Sequence, residues 1–71
     1  MQLKYSPHAK KRLRQRKISK ILVLKTLANP DKKVLSYRNR FIVNKKFKSY
    51  TLEIVYVIED GQIEVITLYR L

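Results

Sequence analysis

The chain has 71 residues, 45% of them hydrophobic, and sets 17 Lys and Arg against five Asp and Glu, a formal net charge of +12. That apolar content excludes a disordered basic tail, and the absence of Cys excludes disulfides and thiolate metal sites. One His and five scattered carboxylates cannot make a zinc set and suit a two-metal centre poorly, so no metal or cofactor is expected.

Gln2 to Tyr5 reads as a short strand. Ser6-Pro7 then starts a helix, with Ser as N-cap and Pro at the first helical position, where its missing N–H costs nothing. This first helix should run to about Arg16. A second helix starts at Ser19 and reaches Ala28, with Ile21, Leu24, Leu27 and Ala28 on one arc. Asn29-Pro30 ends it, because Asn tolerates a left-handed cap and the residue before Pro avoids helical backbone.

From there the period changes to two. Lys33 to Tyr37 and Arg40 to Phe47 are strands about a turn at Arg38-Asn39, and Tyr50 to Glu59 joins Gln62 to Arg70 through Asp60-Gly61, the strongest hairpin signal in the chain. A two-residue turn there opposes Ile58 to Ile63, Tyr56 to Val65, Ile54 to Thr67 and Leu52 to Tyr69. That face is taken as core, its tyrosines near an edge, although pattern alone does not decide which face the helices cover.

The expected class is α+β: a short N-terminal strand, two helices, then a four-stranded antiparallel meander, all one domain over residues 1–71. The apolar runs Ile21 to Leu24 and Ile54 to Ile58 are too short to span a bilayer, and Met1 to Tyr5 leads straight into charge. A soluble, cytoplasmic protein without a membrane partner is expected.

Charge is unevenly placed. Lys10, Lys11, Arg12, Arg14, Arg16, Lys17 and Lys20 crowd one segment, and Arg38, Arg40, Lys45, Lys46 and Lys48 another. Clustering favours a basic face for a polyanion over charge that serves solubility alone. Within the first group, His8, Arg12 and Arg16 recur every four residues, one drifting stripe beside the apolar line of Ala9 and Leu13. His titrates nearest neutrality and Arg grips phosphate bidentately, so this stripe suits metal-free RNA cleavage. The plainer reading is a solvated helix with a capping His. Tyr69-Arg70, ending the last strand, is the tyrosine pair best placed to join such a site, since Tyr can stack on bases or donate to phosphate.

Ser6-Pro7-His8-Ala9, Arg12, Arg16, Ile18-Ser19 and Asn29-Pro30-Asp31, with Ile54-Val55-Tyr56 and Val65 to Tyr69, resemble the family catalogued as domain of unknown function 4258. Its layout is similar to that of the RelE/ParE and BrnT toxins of toxin–antitoxin pairs. The resemblance implies a RelE/BrnT-like sandwich and a metal-independent endoribonuclease cleaving mRNA, with ribosome-bound mRNA as one substrate and an acidic antitoxin as partner. His8, Arg12, Arg16 and Tyr69 would carry the chemistry. Lys10, Lys11, Arg14, Arg38, Arg40, Lys45, Lys46 and Lys48 would hold RNA by its phosphates. The alternative is a non-catalytic basic module that binds nucleic acid or a protein. One residue departs from the family pattern: Lys17 stands where Gly is usual after the first helix, so either a non-Gly residue is left-handed there or the helix ends differently.

Overall fold

A computed structural model describes residues 2–71. In chain order it contains β1 (Gln2–Tyr5), α1 (Pro7–Gln15), α2 (Lys20–Ala28), β2 (Lys32–Leu35), a short 3-10 turn (Tyr37–Asn39), β3 (Phe41–Lys46), β4 (Thr51–Glu59) and β5 (Gln62–Arg70). The expected class holds: two helices pack on one face of a five-stranded sheet ordered β1-β5-β4-β3-β2. The strands β2 to β5 form the antiparallel meander, and β1 returns to pair in parallel with β5. No helix among the described residues is long and apolar enough to cross a membrane.

Local chemistry explains the helix ends. The Ser6 hydroxyl accepts from the Ala9 N–H at 3.0 Å, capping α1 with Pro7 in its first turn. At the other end Lys17 is left-handed, with φ 51. Ile18 N–H donates to the Leu13 carbonyl and Lys17 N–H to that of Arg14, the paired bonds of a Schellman motif. Ile18 packs beside Leu13 in the core, so burial holds Lys17 in a conformation that Gly adopts more readily. Asn29, by contrast, closes α2 at φ −148 and ψ 70, not left-handed. The restriction imposed by Pro30 prevails there.

The face that α2 buries differs from the arc read in the sequence. Val23 and Thr26 are fully buried, with Leu22 and Leu27 partly so, whereas Ile21 and Leu24 are 64% and 54% exposed and Ala28 is exposed too. The segment is apolar on nearly every side, so periodicity cannot select its inner face.

The Asp60-Gly61 turn is as expected, both residues having positive φ, and Ile58 faces Ile63 and Tyr56 faces Val65. Beyond that the register departs from a regular ladder. Ile66 is an extra residue, a β-bulge, after which Val55 pairs with Thr67, Ile54 with Leu68, Glu53 with Tyr69 and Leu52 with Arg70. Leu52, Ile54 and Tyr56 do face the helices, but beyond the bulge Leu68 opposes Ile54 and Arg70 opposes Leu52. Thr67 and Tyr69 belong to the opposite, uncovered face. The Ser6 hydroxyl donates to the Ile66 carbonyl at 2.7 Å and Ser6 N–H to that of Val65 at 2.9 Å, fastening the start of α1 to the bulge.

Candidate nucleic-acid interface

The α1 helix lies over the core face with Ala9 and Leu13 buried. Its position relative to β5 is set by the Ser6 contacts. Because β1 pairs only with Gln62 to Val65, the outer side of β5 beyond the bulge has no neighbouring strand. Arg12 exploits that gap. Its guanidinium carbon lies 5.1 Å from the centre of the Tyr69 ring, a cation–π contact past the edge of β5 to the open face. Arg12 Nε–H also donates to His8 Nε2 at 3.4 Å, a long bond that requires a lone pair on Nε2. His8, Arg12 and Tyr69 therefore form one exposed-to-half-buried cluster. The third member of the stripe does not join it. Arg16 caps the end of α1, exposed, and its side chain makes no hydrogen bond or ion pair among the described residues.

Tyr69 is also one wall of a groove of about 190 Å³ on the open face. Ile42, Val55 and Thr67 come from three adjacent strands, and Ser36, Tyr37 and Arg40 come from the β2–β3 turn. That turn is tight: Arg38 and Asn39 have φ 60 and 57, and Arg40 N–H closes on the Tyr37 carbonyl. Both central residues are left-handed, the pairing that matches strand twist in a short hairpin. Arg40 thus lines the groove, whereas Arg38 sits exposed at the tip.

The remaining basic residues divide between surfaces. Lys10 and Arg14, with Lys20, flank a second groove of about 260 Å³ on the other side of α1, floored by Tyr5 and Leu13. Burial raises the Tyr5 hydroxyl pKa, which keeps it protonated. That groove is larger but has no histidine in its lining. Lys11, Lys46 and Lys48 are exposed. Lys45 is occupied: its Nζ donates to the Asn29 carbonyl at 2.9 Å and lies 3.6 Å from Asp31. The Lys46 N–H, donating to Asp31 Oδ2 at 2.7 Å, lowers the Asp31 pKa most, assisted by the Lys45 charge against a smaller opposing effect of burial. Lys45 and Asp31 thus join the end of α2 to β3.

Most acidic groups keep apart from this site, Glu53, the cross-strand partner of Tyr69, being the exception. Glu59, Asp60 and Glu64 gather with Lys4 and Gln62 at the β4–β5 hairpin end. Among the described residues no three His, Asp or Glu side chains converge as a metal site would need. Of the residues singled out in the sequence, His8, Arg12 and Tyr69 come together and Arg40 lines the groove, whereas Tyr37 and Thr67 were not singled out as groove residues. No local signal marked the bulge that turns Thr67 outward, because Ile66 is itself apolar and continues the run from Val65 to Leu68.

A sequence-family profile described as Domain of unknown function (DUF4258) matches residues 5–70, so it takes in both helices and all of the groove. No curated protein and no solved structure matches the chain.

Proposed function

The chain belongs to the DUF4258 family, whose description assigns no chemistry; from the site we propose a metal-independent endoribonuclease and, from the resemblance of its layout to the RelE/ParE and BrnT toxins, the cytoplasmic toxin of a toxin–antitoxin pair. The observation that carries this reading is the His8–Arg12–Tyr69 cluster at the rim of a groove on a strongly basic protein. RNA contains its own nucleophile. The long Arg12 bond gives way, freeing the Nε2 lone pair of His8 to take the proton of a 2′-hydroxyl, and that oxygen attacks the adjacent phosphorus. Arg12, which touches both other members, stabilises the charge of the crowded phosphorane. The P–O5′ bond breaks, and the departing 5′-oxygen takes the hydroxyl proton of Tyr69; afterwards His8 gives its proton to solvent and Tyr69 regains one from it. The products are a 2′,3′-cyclic phosphate and a 5′-hydroxyl end. Arg16, a helical turn beyond Arg12, serves the neighbouring phosphate.

Lys10, Lys11, Arg14, Arg38, Arg40, Lys46 and Lys48 attract the RNA backbone, mRNA on the ribosome included, while Lys45 contributes through charge already shared with Asp31. The matching partner is an acidic antitoxin. Strand β2 suits it: one edge is unpaired, Lys32 and Lys33 supply charge, and Val34 and Leu35 are exposed.

Cleavage of a defined RNA by purified protein in EDTA tests the reading. His8→Ala should slow it roughly 10²-fold or more, and Arg12→Ala comparably, with unfolding midpoints nearly unchanged. No cleavage of free or ribosome-bound RNA by folded protein would leave the non-catalytic basic module as the reading.

A further inference from the structure

Thr67 differs from every other polar residue near the groove. It is only 9% exposed, and its hydroxyl oxygen is buried with no hydrogen-bond partner among the described residues. Buried hydroxyls almost always find a partner, and an exception at a cleft points to a partner that comes from outside. The bulge at Ile66 put it there: without the extra residue, Thr67 would face the helices. Thr67 lines the groove floor beside Val55, with Ile42 on the far side of Val55, and rotation about χ1 exchanges its methyl and hydroxyl groups at the opening.

The walls share a character. Tyr37 is 80% exposed, an unusual placement for a large ring, and it stands on a turn whose two central residues are both left-handed. Tyr69 is held in place by Arg12. Arg40 adds a cation at the same mouth. An apolar floor, two aromatic rings, one unsatisfied hydroxyl and one guanidinium describe a site for a flat ring with a polar edge and an attached phosphate.

We infer that this groove is a nucleobase subsite, which seats an unpaired base between Tyr37 and Tyr69 with its polar edge on the Thr67 hydroxyl and its phosphate toward Arg40. The inference deepens the proposed ribonuclease reading by giving it a preference for single-stranded RNA, in which bases are free to leave the stack. Placing the base beside Tyr69 also brings the adjoining phosphate toward Arg12 and His8.

A 2′-deoxy tetranucleotide lacks the attacking hydroxyl, so its binding is measured without cleavage. Its affinity is compared with that of an abasic tetranucleotide of equal charge, and methyl NMR follows Ile42, Val55 and Thr67. The base-bearing strand should bind about tenfold more tightly and shift those methyl signals. Thr67→Val, which keeps the shape, should remove a several-fold share of that preference, and Thr67→Ser should restore it. Tyr37→Ala, on an exposed turn, should lose the preference as well and serves if the Thr67 variants do not fold. Equal binding of the two strands, or shifts confined to the α1 lysines, would overturn the subsite whether or not RNA is cleaved. Base-dependent binding by a protein that cleaves no RNA would uphold the subsite and remove the ribonuclease.

Discussion

At the scale of single residues, the chain keeps several side chains where backbone preference alone would not put them. Lys17 is the plainest case. It occupies left-handed backbone because Ile18 must turn back into the core, and Gly would do so without the steric cost. Lys17→Gly should therefore stabilise the fold by about 1 kcal/mol, read as a rise of roughly 4–8 °C in thermal midpoint for a domain this size. An unchanged or lower midpoint would mean that the Lys side chain compensates elsewhere. Asp31 makes a prediction of opposite character. Its carboxylate accepts from the Lys46 N–H, so its pKa is lower folded than unfolded. The corresponding stability is present above the ordinary carboxylate range, near 4, and is lost as pH falls through the lowered value. Denaturant titrations should show less acid destabilisation across that window in Asp31→Asn than in the parent chain. Equal slopes would show that other groups dominate.

At the scale of elements, the joint between β1 and α1 organises the candidate site. One hydroxyl, Ser6, both caps α1 and satisfies the bulged carbonyl of Ile66. Ser6→Ala would leave the Ala9 N–H and the Ile66 carbonyl unpartnered at once. The expected loss is about 2 kcal/mol, larger than an ordinary cap, and is measured by urea unfolding. Ser6→Thr should recover most of it, since Thr also offers a hydroxyl. A loss no greater than a few tenths would mean that water replaces both bonds. The elements themselves were largely legible in the residues: Ser6-Pro7, Ser19, Pro30, Arg38-Asn39 and Asp60-Gly61 are local signals whose effect spans one turn of backbone. The bulge was not, because nothing within two residues of Ile66 forces an extra residue there. Its partners lie on β4 and at Ser6, 60 residues away.

For the whole molecule, charge is arranged as well as abundant. Four of the five carboxylates stand on β4, β5 or their hairpin, and the fifth is neutralised by Lys45. The cations of α1 and the β2–β3 turn make no ion pair among the described residues. Binding of single-stranded RNA should weaken steeply with salt, linearly on logarithmic axes, with a slope near −0.7 for each phosphate neutralised. Arg40→Ala should reduce that slope by about one phosphate, whereas Lys45→Ala should change it less and lower stability instead. A salt-independent affinity would remove the basic face as the basis of binding.

The order of elements, the apolar line of Ala9 and Leu13, the two hairpin turns and the basic surplus all follow from residues near one another in the chain. Periodicity, capping chemistry and backbone preference act over a few residues and so can be read in order. The side of α2 that is buried, the half of β5 that faces outward, and the company kept by His8 required the fold. Those outcomes depend on contacts between distant segments: α2 is apolar nearly all round, the bulge exchanges the faces of Thr67 and Leu68, and Arg12 reaches Tyr69 only past an edge that β1 leaves uncovered. Spacing every four residues put His8, Arg12 and Arg16 on one stripe, but the end of α1 leaves Arg16 outside the cluster, because where a helix stops against a sheet is settled by packing.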